Sequence, residues 1–180
     1  MLHMNTKYLP IILLLLVNST FAQVKHTVTK STITFQIKNM GFNTGGNIGG
    51  VQAAIMFDPG KLDASSIEAS ADVATINTDN NMRDEHLKSD SYFDAAKYPK
   101  ITMKSVSLKQ KSGNNYIGQF SITIKDKTKL LDMPFTYTEN SSTAVFNGTL
   151  KLKRSDFGIG GGSMVMSDDV KVTIDVETSK

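Results

Sequence analysis

The sequence predicts an all-β domain of about eight short antiparallel strands carrying one short helical insertion. Three observations lead there. Apolar and polar residues alternate with period two along most of the chain, clusters of Gly, Pro, Asn, Asp and Ser punctuate the alternation, and one dense polar stretch, 77–101, breaks it. Alternation gives a strand one apolar and one polar face, which suits an antiparallel sheet buried on a single side.

Residues 1–22 are read as a cleaved signal peptide outside this domain. Lys7 supplies a positive start, Leu9 to Val17 an apolar run, and Thr20-Phe21-Ala22 small-x-small residues before Gln23. Export to the periplasm or beyond the cell is therefore expected, with residues 23–180 as one domain. The apolar run falls short of the ~20 residues a spanning helix needs, and no later segment resembles one, so no integral membrane segment is expected. The chain has no cysteine, so neither a lipid anchor through a thiol nor a disulfide framework is expected. Removing the first 22 of 180 residues leaves 158. A domain of that size buries roughly 68–70% of its unfolded surface and holds together by its core. The formal charge of +3 falls to +2 without Lys7, and its basic residues are scattered among acids. That balance gives no argument for nucleic acid or an anionic membrane.

Along the chain, Ile33, Phe35 and Ile37 alternate with Thr32, Thr34, Gln36 and Lys38 to give the first strand. Segment 50–57 follows. It is apolar on both faces, with Val51, Ala53, Ile55 and Phe57 opposed to Ala54 and Met56, so its outer side is expected to be covered by the polar insertion. Gly49-Gly50 is expected to loosen that edge. Asp58-Pro59-Gly60 is a turn, and 66–76 is a further strand. In the insertion, Asn80 is placed to cap a helix from about Asn81 to Ser89, with Asp84 and Lys88 spaced as an i,i+4 pair; Asp90 is placed to cap a second turn through Phe93. In 101–109, Ile101 and Met103 are out of phase with Val106 and Leu108, which a bulge near Ser105 reconciles. Phe120, Ile122 and Ile124 mark the next strand, 130–138 and 143–153 two more, and Val170, Val172, Ile174 and Val176 the last. Ser112 to Asn115, Asp126-Lys127 and Asn140 to Ser142 carry turn chemistry. Eight short antiparallel strands fit either a sandwich or a barrel.

The insertion reads N-T-D-N-N-M-R-D-E-H-L-K-S-D-S-Y-F-D-A-A-K-Y-P-K-I from Asn77 to Ile101. With Ser31-x-Ile33-x-Phe35-x-Ile37-Lys38, the Asp58-Pro59 turn, Gly118-x-Phe120-x-Ile122-Thr123-Ile124, Arg154-Ser155-Asp156-Phe157-Gly158-Ile159 and Asp168-Asp169-Val170-Lys171-Val172, it resembles the YceI-like family over nearly the whole exported chain. The resemblance implies an extended eight-stranded antiparallel lipocalin-like β-barrel with 77–100 as a short helical flap beside it. It also implies that a polyisoprenoid or another long-chain amphiphile is bound inside. Family members often carry histidine where this chain has Asn39, and a single glycine before an aromatic where it has Gly49-Gly50-Val51. Both departures fall near the expected mouth.

Inward-facing positions expected to line the barrel are Phe35, Ile37, Ile55, Phe57, Phe120, Ile122, Phe146, Leu150, Leu152, Val172 and Ile174, with Gly118 and Gly148 leaving room. Periodicity alone does not separate a filled barrel from a cavity; the resemblance favours the cavity. Asn39, Arg83, Asp84 and His86 are candidates for the mouth or head-group end. Arg83 has the fork geometry for an anionic group, against the plainer reading of a hydrogen-bond network with Asp84 that ties the flap to the barrel. Beyond the leader only His26 and His86 remain, with no cysteine and no H-E-x-x-H, so no metal site and no cofactor are expected. No G-x-S-x-G occurs, Asp84-Glu85 and Asp168-Asp169 are adjacent pairs better read as solvated, and Gly158 to Gly162 lacks a P-loop lysine and reads as a flexible hairpin loop.

The expected function is non-enzymatic sequestration or transport of a long isoprenoid or fatty-acyl chain. Each buried methylene contributes about 0.8 kcal/mol, so ~20 carbons gain on the order of 16 kcal/mol before ordering costs. The alternative is an envelope stress or interaction protein with a filled barrel, acting through the 77–100 flap. A lipid hydrolase or isomerase would rest on His86 with Asp84 alone. Lipocalin-like families often dimerise, and a homodimer is compatible with the sequence, though no feature fixes its interface.

Overall fold

The computed structural model describes residues 24–180, so the leader assigned to 1–22 and the cleavage point at Gln23 lie outside the described residues. Nine strands form one antiparallel sheet: β1 (Lys25–Asn39), β2 (Phe42–Ile48), β3 (Gln52–Met56), β4 (Ser66–Asp72), β5 (Lys100–Ser112), β6 (Asn115–Ile124), β7 (Lys127–Glu139), β8 (Thr143–Lys153) and β9 (Met166–Ser179). β1 pairs with β9 along nearly its whole length and closes the sheet on itself. The barrel nevertheless has eight staves. β1 pairs with β2 through Ile33 to Asn39 and with β3 only through Lys25 and His26, so β2 and β3 lie end to end in one stave.

β2 went unread in the sequence because its segment, F-N-T-G-G-N-I, carries turn residues rather than an alternating pattern. Close approach explains the composition. A Cβ on Gly46 would come within 2.3 Å of the Asn77 carbonyl, so only glycine fits where Asn47 and Asn77 pair. Between β2 and β3 the Gly49-Gly50 pair is tied down, contrary to the expected loosening. The Asp72 amide donates to the Gly49 carbonyl (3.0 Å), and the Gly49 amide donates to the Thr75 hydroxyl (2.7 Å).

Local predictions from phase and capping hold. Register slips between Ser105 and Ser107, which is the bulge that brings Met103 and Leu108 to one face. Helix α1 runs Asn81–Lys88, and the Asn80 side chain accepts from the Arg83 amide (3.0 Å). Two ion-pair and cap details differ. Lys88 pairs with Glu85 (3.0 Å) rather than Asp84, which is engaged elsewhere, and the turn after α1 is organised by the Ser89 carbonyl, which accepts from Tyr92 and Asp94, rather than by Asp90. The insertion also does not cover the outer face of β3, where Ala54 is exposed and Met56 half-buried. It turns inward instead, packing Leu87, Phe93 and Ala95 against Ile48, Ala71, Val73 and Ile76 at the gap between β2 and β4.

The end of the barrel away from that flap is sealed by aromatic rings. Phe57, Tyr116, Phe135, Tyr137 and Phe146 meet with centroids 4.7–6.4 Å apart, mostly edge to face. His26, 2% exposed, crosses this floor: its Nε2 is 3.0 Å from the Phe57 carbonyl and its Nδ1 3.0 Å from the Thr178 hydroxyl, linking β1 to β9 and to the residue that follows β3. The Tyr137 hydroxyl donates to Glu139 (2.8 Å), which also pairs with Lys180. Burial, then Glu139, pushes the Tyr137 ionisation far up, and Lys180 and then Tyr137 hold the Glu139 carboxyl below its ordinary range.

Two outcomes follow for stability. Phe57→Ala should destabilise the protein by about 3–5 kcal/mol in denaturant titration, the usual cost of emptying a fully packed aromatic site. Because Glu139 is depressed in the fold, its contribution is present above the unfolded carboxylate pKa near 4.5 and is lost as pH falls through the lower folded value. Glu139→Gln should therefore lower the melting temperature at pH 7 and not at pH 2. The loss should stay within about 1 kcal/mol, since the pair is partly solvent-screened.

Candidate functional site

Above the aromatic floor lies an apolar cavity of about 240 Å³. Most wall residues come from one phase of their strand, with Ser70 and Thr102 as exceptions on β4 and β5. β1 supplies Ile33, Phe35 and Ile37, β6 Phe120, Ile122 and Ile124, β8 Phe146, Leu150 and Leu152, and β9 Val170, Val172, Ile174 and Val176. Ile55, Ile67, Ile101, Met103 and Met133 complete the wall, with Phe135 and Phe146 as its floor. Ten of the eleven sequence-predicted lining positions thus face the cavity: Phe35, Ile37, Ile55, Phe120, Ile122, Phe146, Leu150, Leu152, Val172 and Ile174. Phe57 does not. It sits within the floor, fully buried, where its amide donates to the Val24 carbonyl and its ring fills the centre of the aromatic plug. Gly118 also does not open space, since the Phe120 ring lies over it, 2.3 Å from where a Cβ would be. Gly148 does line the cavity, with the Met133 side chain 3.1 Å from the same point.

The roof is what sequence periodicity could not reach. Leu87, Tyr92 and Phe93 of the flap line the cavity, although they read only as isolated apolar residues in a polar segment. Two backbone pairs between Asn47 and Asn77 (2.9 and 3.0 Å) fasten the flap to β2. Within it, the Thr78 amide and hydroxyl donate to Asp84, while Arg83 donates to the Thr78 hydroxyl (2.8 Å) and carbonyl (2.6 Å). Arg83 and Asp84 therefore brace the flap through Thr78. Neither they nor His86 nor Asn39 lines the cavity; Asn39 stands on the rim, paired with Phe42. His86 packs edge-on against Tyr92 (4.8 Å) while Asp84 serves Thr78, so no His–Asp dyad forms.

A second roof element is the segment between β8 and β9. Arg154, 5% exposed, donates to the carbonyls of Ser167 (3.0 Å), Ile159 (2.8 Å), Gly161 (2.7 Å) and Met166 (3.4 Å), so the guanidinium is spent on folding its own loop. Its stem and Ile159 reach the cavity. The loop is thus pinned at its base rather than a free hairpin. The Gly160 amide donates to the Ser91 carbonyl (3.0 Å), and a Cβ on Gly160 would lie 2.7 Å from the Tyr92 ring. Asp168 accepts from the Ser155 hydroxyl and amide, which together hold its carboxyl below the ordinary range. Periodicity carried no signal of this role for Arg154, because burial of a single arginine against carbonyls leaves no trace there; its mark in the sequence was the Arg154-Ser155-Asp156-Phe157-Gly158-Ile159 motif. Chemically, the arrangement offers a hydrocarbon-lined space closed below by rings and above by two fastened loops.

This chain matches the YceI-like domain over residues 25–178. A UPF0312 protein of Pseudomonas syringae pv. tomato is 27% identical over 151 residues, covering 79% of each chain. Among solved structures, BcnA of Burkholderia cenocepacia superposes with a TM-score of 0.78 at 29% identity, over 82% of this chain and 95% of that one. A polyisoprenoid binding domain from Saccharophagus degradans, implicated in plant cell wall breakdown, superposes at 0.69 and 14% identity over 86% and 97%, a likeness of fold alone. The match runs from the first strand to the last, and the chain belongs to the YceI-like family.

Arg154→Met keeps the stem against the cavity and removes the bonds to four carbonyls. It should cost about 2–4 kcal/mol and raise amide exchange in 158–166 relative to the aromatic floor, as read by hydrogen-exchange mass spectrometry.

Proposed function

We propose, from that family membership, that the protein binds a long-chain amphiphile such as a polyisoprenoid, holding the tail in the barrel without covalent chemistry. The observation that carries this reading is the hydrocarbon-lined cavity itself. Its volume of about 240 Å³ lies near the lower end of ordinary ligand sites, roughly 300 Å³ upward, which suits a slender chain. Methylenes buried there contribute about 0.8 kcal/mol each, so affinity needs no charged anchor. The shared fold of the Saccharophagus degradans polyisoprenoid binding domain supports the same ligand class. The filled-barrel alternative, with the flap as the working surface, is disfavoured because side chains leave the interior open and the flap spends Leu87, Tyr92 and Phe93 on roofing it. Turnover has no evident agent, as His86 and Asp84 point to different partners. With residues 1–22 read as a leader, the proposed place of action is the periplasm or the exterior, where a chain of this kind needs a carrier through water.

Native mass spectrometry of protein purified without detergent, followed by lipid extraction, tests this directly. A stoichiometric long-chain adduct is expected. Val172→Phe, which fills the cavity from its wall, should abolish the adduct and lower affinity for a fluorescent long-chain probe at least roughly tenfold, while the melting temperature holds or rises. A clean apo mass that persists after exposure to isoprenoids and fatty acids would overturn the proposal.

A further inference from the structure

The roofed end of the barrel ends in two apolar tips that the monomer leaves uncovered. One is the β1–β2 hairpin, which turns through Met40 and Gly41, both at positive φ (51° and 81°). The other is the segment after Gly162. They form one unit, because the Met40 amide donates to the Val165 carbonyl (2.7 Å). On this unit Met40, Phe42, Met164 and Val165 are all exposed, Phe42 by 77%. A two-residue turn with positive φ favours Asn, Asp or Gly, so methionine at its first position is a conformational cost that burial does not offset.

Basic residues predominate around the tips, with Asp168 and Asp169 interspersed among them. Segments 38–44 and 158–166 contain no acidic residue. Just below them, Lys38, Lys151, Lys153 and Lys171 are exposed on the outer wall, and none of them joins a salt bridge among the described residues. Lys171 lies in register with Lys151 on one side and Gln36 on the other, while Lys153 lies opposite Asp169. Two like charges directly across a strand pair repel, so this collar too costs the free protein stability. The chain's small net charge conceals the collar because its members come from three strands. Behind the tips, Ile37, Met166 and Val170 line the cavity, so the exposed apolar surface continues into the interior.

We infer that this end of the barrel docks on the surface of an anionic lipid bilayer, with Met40, Phe42, Met164 and Val165 in the headgroup–acyl boundary and the lysine collar against lipid phosphates. An apolar tip backed by basic residues is the arrangement that interfacial binding rewards. Docking there places the roofed end of the cavity against the hydrocarbon from which a chain is drawn, and in this respect the inference rests on the amphiphile-binding function proposed above. A second copy of the chain fits the surface less well. Four side chains at two protruding tips supply on the order of 600 Å², short of the ~800 Å² per partner of a standard stable interface.

Co-sedimentation with vesicles of phosphatidylcholine, alone and mixed with phosphatidylglycerol, tests the docking. Uptake of a soluble fluorescent fatty acid below its micelle concentration tests the cavity separately. The protein should bind the mixed vesicles preferentially, and salt should weaken that binding. Both Met40→Ser with Phe42→Ser and Lys151→Gln with Lys171→Gln should reduce the bound fraction roughly tenfold while leaving fatty-acid uptake unchanged. Absence of vesicle binding by the unaltered protein, or binding unmoved by both double variants, would overturn the inference and leave the cavity reading standing. Vesicle binding without fatty-acid uptake would do the reverse. A dimer in light scattering that the Met40/Phe42 variant dissolves, without vesicle binding, would assign the face to a second copy and also overturn it.

Discussion

Closure of the sheet between β1 and β9 is the constraint on which the rest of this structure depends. Pairing along nearly all of β1, interrupted by two register shifts, removes the free edge of β9, leaves only the outer edge of β2, which the flap meets at Asn47–Asn77, and turns one phase of the staves inward. Once closed, the barrel has an interior whose length is set by its strands and whose chemistry is set by alternation. His26 and Thr178 sit where the seam begins, and their hydrogen bonds join the seam to the aromatic floor.

The two ends of the barrel solve opposite problems. At the floor, rings from five positions interlock and every polar group there has a partner: His26 with Phe57 and Thr178, Tyr137 with Glu139, Glu139 with Lys180. Such packing has little freedom to open. At the roof, closure relies on segments outside the regular pairing of the sheet, the flap held through Asn77 and Thr78 and the loop held through Arg154. Segments held by a few hydrogen bonds and modest burial are the low-stability end of a fold. This asymmetry suits the proposed binding of a long chain, which one end would retain and the other admit.

Several polar groups in this protein serve placement. Arg83 and Asp84 meet at Thr78, Arg154 gathers four carbonyls, and Asp168 holds Ser155. Each fixes a loop whose apolar side chains then form the roof. The dense polar insertion that stands out in the sequence is thus a scaffold for three hydrocarbon groups, Leu87, Tyr92 and Phe93.

By itself the sequence determined eight of the nine strands, their inward phase, the bulge near Ser105 and the Asn80 cap, because period, phase and capping are local properties written in consecutive residues. It placed ten of the eleven named lining positions on the cavity side for the same reason. Only the tertiary structure decided what depends on residues far apart in the chain. It split one stave into β2 and β3, where close approach to Asn77 demands glycine instead of alternation. It sent Phe57 into the aromatic plug, although its phase matches the wall, because the rings it meets there, Tyr116, Phe135 and Phe146, lie more than fifty residues away in the chain. It also gathered Lys38, Lys151, Lys153 and Lys171 beside Met40, Phe42, Met164 and Val165, a juxtaposition that composition averages away.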